Sequence, residues 1–133
     1  MPIDFTGTTE QPCPCVNSGS RLFCNQQSSI KKFPDDIINN CLPMNPLEIT
    51  NINIHGQSLE HLQANVFDIF PNLQELALPL NNIKNIHKGA FSKLSKLKVL
   101  HLYGNNITNI EDGALDDLYQ IDFIDFTGNP EVE

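Results

Sequence analysis

The sequence has no tryptophan, no cysteine after Cys41 and no lysine or arginine after Lys98. No stretch approaches the ~18 uninterrupted apolar residues that a membrane-spanning helix needs, so no helical span is expected. The opening Met1-Pro-Ile-Asp-Phe5 has neither a basic n-region nor an apolar run, so it does not read as a signal peptide. A mature secreted chain and a cytosolic one both fit that absence. At 133 residues the chain is too short for a second independent core, which leaves one domain or one stack of units. It also lacks the residue groupings that catalysis requires. No nucleophile beside a base, no glycine-rich phosphate loop and no third ligand beside a histidine–carboxylate pair can be picked out. An enzyme, a metal site and a cofactor are therefore not expected.

Charge is unevenly spread. The formal net charge is −8. Lys84, Lys88, Lys93, Lys96 and Lys98 form a block without acids, whereas from Glu111 onward there are eight acids and no base. Nucleic acid would be repelled by this balance. Lys88, Lys93 and Lys98 each precede Asp112, Asp117 and Asp122 by 24 residues. Opposite charges on neighbouring coils are the expectation, at about 0–1 kcal/mol per exposed pair.

The cysteines that are present, Cys13, Cys15, Cys24 and Cys41, lie in the first third of the chain and read as a local staple. A zinc site fits poorly, because Cys13-Pro-Cys15 is a residue short of the usual gap between paired ligands and no second pair follows. Disulfides are expected instead, and with them an oxidising compartment. Four cysteines allow three pairings. Cys13 and Cys15 would share one face of a strand, so each is expected to reach out to Cys24 or Cys41.

The rest of the chain repeats. Leu73-Gln-Glu-Leu76-Ala-Leu78-Pro-Leu-Asn81-Asn-Ile83-Lys-Asn-Ile86 returns 24 residues later as Leu97-Lys-Val-Leu100-His-Leu102-Tyr-Gly-Asn105-Asn-Ile107-Thr-Asn-Ile110, and its opening returns again at Ile121. An earlier unit begins at Ile49. A fixed period in the twenties is the signature of a leucine-rich-repeat solenoid. Each unit is expected to give one short strand, Ile52 to Ile54, Leu76 to Leu78, Leu100 to Leu102 and Ile124 to Phe126, stacked in parallel with alternate residues pointing inward. Asn81, Asn105 and Asn129 should form a buried amide ladder, worth about 1–3 kcal/mol per member through the backbone groups it satisfies. Gln57 replaces the asparagine in the first unit and puts that end of the ladder in question. Phe67 and Phe91 should stack into a convex spine, with Leu115 closing it.

The expected organisation is a leader over 1–12, a cysteine-rich cap and connecting loop over 13–48, repeats over 49–129 in units at 49, 73, 97 and 121, and a tail over 130–133. Within the cap, Cys13 to Val16 and Leu22 to Cys24 flank the turn signal Asn17-Ser-Gly-Ser and predict a small hairpin. The fold class is a mostly β member of the α/β solenoids: a short right-handed superhelix with a parallel concave sheet and a stapled N-terminal cap.

The motif Leu-x-x-Leu-x-Leu-x-x-Asn-x-Ile-x-x-Ile-x-x-Gly-Ala-Phe-x-x-Leu resembles the typical extracellular leucine-rich repeat. Cys13-Pro-Cys15 through Phe23-Cys24 and Ile30-x-x-Phe33-Pro34 resembles its cysteine-rich N-terminal flanking module. Together they cover 13–129 and are similar to proteins of the Slit, small leucine-rich proteoglycan, Nogo receptor and variable lymphocyte receptor type. The resemblance implies a secreted or cell-surface protein whose concave sheet binds a protein ligand or receptor. It implies the pairing Cys13–Cys24 and Cys15–Cys41. Such proteins often carry a further cysteine ahead of the Cys-x-Cys and a C-terminal cap after the Asn129-Pro130 position, and neither is seen here. An uncapped last strand leads to the expectation of a monomer or a weak homodimer, or of an N-terminal fragment of a larger receptor. A non-catalytic accessory subunit of a secreted enzyme or channel is the alternative role.

Read in columns, the outward strand positions are Asn51, Glu75, Val99, Phe123; Asn53, Ala77, His101, Asp125; and His55, Pro79, Tyr103, Thr127. Val99, Tyr103 and Phe123 beside His101 make a candidate hot spot, with Glu75 and Asp125 at its margins. Such residues are also common on solvent-facing strands because they suit a pleated surface. His101 and Asp125 should be cross-strand neighbours, read as a charge pair. Leu80 stands where the other units have Gly56, Gly104 and Gly128, and is a candidate contact at the rim. Asn106-Ile-Thr108 is the one glycosylation sequon.

Overall fold

The computed structural model describes residues 15–24, 41 and 44–130. The predicted leader, the segment Ile30 to Pro34 and most of the tail lie outside the described residues. The strands are β1 (Val16–Ser18), β2 (Arg21–Cys24), β3 (Asn51–Ile54), β4 (His61–Leu62), β5 (Glu75–Ala77), β6 (Asn85–Ile86), β7 (Val99–His101), β8 (Asn109–Ile110) and β9 (Phe123–Asp125). They form a parallel-sheet solenoid, with a six-stranded sheet in the order β1-β2-β3-β5-β7-β9 and a three-stranded sheet in the order β4-β6-β8.

The 24-residue period becomes the strand register. Ile52 pairs with Leu76, Leu76 with Leu100 and Leu100 with Ile124, so equivalent residues stack at the ~4.8 Å spacing of neighbouring strands. Alternation then sends Ile52, Leu76 and Leu100 into the core, where they are fully buried. The second sheet was not expected, since one strand per unit was read from the sequence. It arises from Leu62, Ile86 and Ile110, which pair in the same 24-residue register as their units turn back. Among the described residues there is no α-helix; the one helical element is a 3-10 turn at Pro46–Glu48, capped by the Asn45 side chain accepting from the Leu47 amide at 3.0 Å. The convex side is built of turns over the ring of Phe67, which stacks on Phe91 at 6.1 Å and 9°. Leu115 packs partly buried against this core.

Each of the strands β3, β5, β7 and β9 leaves the sheet through a residue of positive φ: Gly56 (74°), Leu80 (59°), Gly104 (70°) and Gly128 (77°). Glycine reaches this left-handed region without steric cost, whereas leucine does not. One residue further on the asparagine ladder begins. The Asn81 amide donates to the Ile54 carbonyl at 2.8 Å, and its oxygen accepts from the Gln57 N–H at 2.6 Å. Asn105 Oδ1 accepts from the N–H groups of Asn81 and Ile83 at 2.8 and 3.1 Å, while its Nδ2 donates to Leu78 and Leu102 at 2.9 and 3.0 Å. Asn129 repeats this with the Ile107 N–H and the carbonyls of Leu102 and Phe126. Gln57 ends the ladder buried, folding its longer amide back on the His55 carbonyl at 3.4 Å.

The cap corrects the expected disulfides. β1 and β2 form a hairpin with Val16 opposite Phe23 and Ser18 opposite Arg21, closed by a tight turn at Gly19 (φ 66°). That register sets Cys15 directly across from Cys24, at the close Cα spacing of a non-hydrogen-bonded antiparallel pair. The two are bonded, with Cα atoms 4.3 Å apart. The pairs Cys13–Cys24 and Cys15–Cys41 are therefore not formed. Cys41 is also disulfide-bonded and buried, whereas Cys13 lies outside the described residues. β2 then pairs in parallel with β3, Leu22 beside Ile52 and Cys24 beside Ile54, so the hairpin covers the edge of the first repeat strand. The connecting segment adds Met44 to the core and the first repeat opens with the buried Ile49.

The expected lysine–aspartate pairs are also corrected. Lys88–Asp112, Lys93–Asp117 and Lys98–Asp122 are absent from the ion pairs among the described residues, where Lys84–Glu60 at 4.0 Å is the lysine pair seen. Register brings backbones together, but long exposed side chains gain too little from pairing to be held there. Lys96 instead donates to the Asn72 side chain at 2.8 Å. The Lys88 backbone N–H donates to Glu111 at 2.7 Å and His87 lies 3.2 Å from the same carboxylate. Those two contacts, the Lys88 amide first, hold the Glu111 carboxyl below its ordinary range.

Candidate binding face on the concave sheet

The concave columns assemble in the strand register. Asn51, Glu75, Val99 and Phe123 are successive partners, as are Asn53, Ala77, His101 and Asp125. Inward neighbours at Leu76, Leu100 and Ile124 force these residues outward by strand alternation. Phe123 is 51% and Tyr103 39% exposed; Val99 is half-buried between Glu75 and Phe123 in the sheet. Ala77 and Pro79 are buried, being too small to rise above their neighbours.

His101 is the centre of the group. Its ring meets Phe123 edge-on at 5.8 Å and Tyr103 edge-on at 6.2 Å. Asp125 Oδ2 lies 3.9 Å from Nδ1, as the cross-strand reading expected, and Glu75 Oε2 lies 3.8 Å from Nε2. Both distances exceed a hydrogen bond, and His101 Nδ1 is buried without a hydrogen-bond partner. The Asp125 carboxylate is held instead by Thr127, whose hydroxyl and backbone N–H donate to Oδ1 at 2.7 and 2.9 Å. These bonds, more than the neighbouring imidazole, lower its pKa. Glu75 Oε1 accepts from the Asn51 amide at 3.3 Å.

Leu80 lies at the rim, 47% exposed, with its N–H donating to the Tyr103 carbonyl at 3.2 Å. Its side chain covers Gly104, where an added Cβ would come within 2.5 Å of Leu80 Cδ2. Asn106 is exposed on the neighbouring turn and its amide donates to Asn82 at 3.2 Å.

Two residues of this face were missed from the sequence. Because β2 joins the sheet, Arg21 stands beside Asn51 and Phe23 beside Asn53, and Phe23 is 43% exposed. The signal was there, since Arg21-Leu22-Phe23-Cys24 alternates like the repeat strands. With Asn51, Asn53, Glu75 and Ala77 they line a depression of about 220 Å³.

Among the described residues, no cluster of three or more histidine, cysteine or acidic side chains could hold a metal ion, and no helix is long and apolar enough to cross a membrane. No curated protein matches the chain. Residues 71–130 match the family model described as leucine rich repeat, and that match, joined to the 24-residue register of the parallel sheet, supports a leucine-rich-repeat protein.

Proposed function

We propose that this chain is a non-enzymatic extracellular module that recognises a protein partner through its concave sheet. The observation that carries the reading is the continuous aromatic row Phe123, His101 and Tyr103, in ring contact on β9, on β7 and just beyond it, with Phe123 and Tyr103 open to solvent on either side of His101. Exposed rings held by neighbours give up little conformational freedom on binding, which is why aromatics anchor interfaces. Val99 and Leu80 extend the row with apolar surface, and Glu75 and Asp125 supply a charged margin. The Cys15–Cys24 disulfide and the bonded Cys41 favour an oxidising, extracellular setting. Asn106, exposed beside the ladder turn, is the proposed glycan position in that setting.

The test uses binders selected from a displayed library of extracellular protein domains. Affinity of a concave-face partner should fall by about 30-fold or more in Val99→Ala/Tyr103→Ala/Phe123→Ala, the loss that a 2 kcal/mol hot spot produces. Binders that keep their affinity for this variant, with its fold intact by circular dichroism, would refute the reading.

A further inference from the structure

We infer that the centre of the concave sheet is a seat for a guanidinium group, supplied by an arginine side chain of the protein partner. The inference rests on the concave-face reading above and adds the chemistry of the partner.

The outward positions of β5, β7 and β9 are Glu75, Ala77, Val99, His101, Phe123 and Asp125. They hold two carboxylates and no lysine or arginine. Each carboxylate spends one oxygen locally, Glu75 Oε1 on Asn51 and Asp125 Oδ1 on Thr127. The second oxygen of each, Glu75 Oε2 and Asp125 Oδ2, turns toward His101 from opposite sides and stops at 3.8 and 3.9 Å. Among the described residues no hydrogen bond reaches either oxygen. Two acceptors thus face each other across an imidazole, with the rings of Phe123 and Tyr103 set edge-on to it.

A guanidinium suits this arrangement for geometric reasons. It is planar, carries N–H donors along both edges and stacks on aromatic faces, so one group laid over His101 can address carboxylates on either side. An ammonium presents a compact charge that favours one carboxylate at a time. An anion is repelled. A purely apolar side chain would strip water from two carboxylates and leave them unpaired, which interfaces avoid.

The whole chain, labelled with nitrogen-15, is titrated with acetyl-Gly-Arg-Gly-amide, its lysine counterpart and its neutral citrulline counterpart, which keeps the shape and loses the charge. The arginine peptide should shift the backbone amides of Glu75, His101, Tyr103, Phe123 and Asp125 saturably. The citrulline peptide should bind about tenfold more weakly or worse, and the lysine peptide measurably more weakly. Glu75→Gln/Asp125→Asn, with its spectrum still dispersed, should abolish the preference for arginine. Equal binding of the three peptides, no saturable shift, or shifts centred on the acids between Glu111 and Asp122 would overturn the inference. The two readings fail separately. If the triple alanine variant loses selected binders while Glu75→Gln/Asp125→Asn keeps them, the guanidinium seat is wrong and the concave face stands.

Discussion

Leu80 holds a backbone conformation that its three equivalents give to glycine. A leucine in the left-handed region costs roughly 1–2 kcal/mol, part of which glycine would return as lost chain entropy. Leu80→Gly is therefore expected to stabilise the fold by about 0.5–1 kcal/mol in denaturant unfolding, while weakening a partner that uses the rim. A destabilised variant would mean that the Leu80 cover over Gly104 outweighs the strain. Asp125 gives a second expectation at this scale. Thr127 depresses its folded-state pKa below the ordinary value, so the folded state binds fewer protons than the unfolded one in that range. The stability this contributes is fully present above the ordinary aspartate pKa and is lost as pH falls through the lower folded value. The difference in unfolding midpoint between the wild type and Asp125→Asn should thus be flat near about pH 6 and shrink below about pH 4. A difference that does not change with acid would contradict the Thr127 hydrogen bonds as the cause.

At the scale of elements, the hairpin β1–β2 is a cap because it continues the sheet and then turns its back on it. β2 presents Leu22 and Cys24 to the core and pairs with β3; β1 is exposed along its whole length. The Cys15–Cys24 bond closes a short loop, with a sequence separation of 9, for which chain entropy suggests about 2–3 kcal/mol. Cys15→Ala/Cys24→Ala should lose about that much and expose the amides of β1 and β2 to hydrogen exchange before those of β7. Uniform exchange across all strands would show instead that cap and repeats open as one unit. The repeat strands are held differently. Those of the concave sheet, β3, β5, β7 and β9, are only three or four residues long, and their stability comes from the Asn ladder and from neighbours at the same position in the next coil.

For the whole molecule, the sequence alone was enough to determine the period, the parallel register, the inward columns, the Phe67–Phe91 stack and the positions of Asn81, Asn105 and Asn129. The reason is that a solenoid turns sequence separation into spatial adjacency: residues 24 apart must stack if equivalent apolar side chains are to share one core. Contacts that do not follow the period needed the tertiary structure. The hairpin register chose Cys15–Cys24 over the other pairings, because a tight turn at Gly19 decides which residues face each other. The pairing of β2 with β3 brought Arg21 and Phe23 onto the concave face, although their segment precedes the repeats. His101 proved to lie against Glu75 as well as Asp125, a diagonal contact across β5 and β7 that a column reading does not contain. Among the described residues Lys84 lies 4.0 Å from Glu60 and Lys96 bonds the Asn72 amide rather than the aspartates 24 residues on, because a shared register places Cα atoms and leaves the ends of long side chains to the balance of entropy and weak charge attraction.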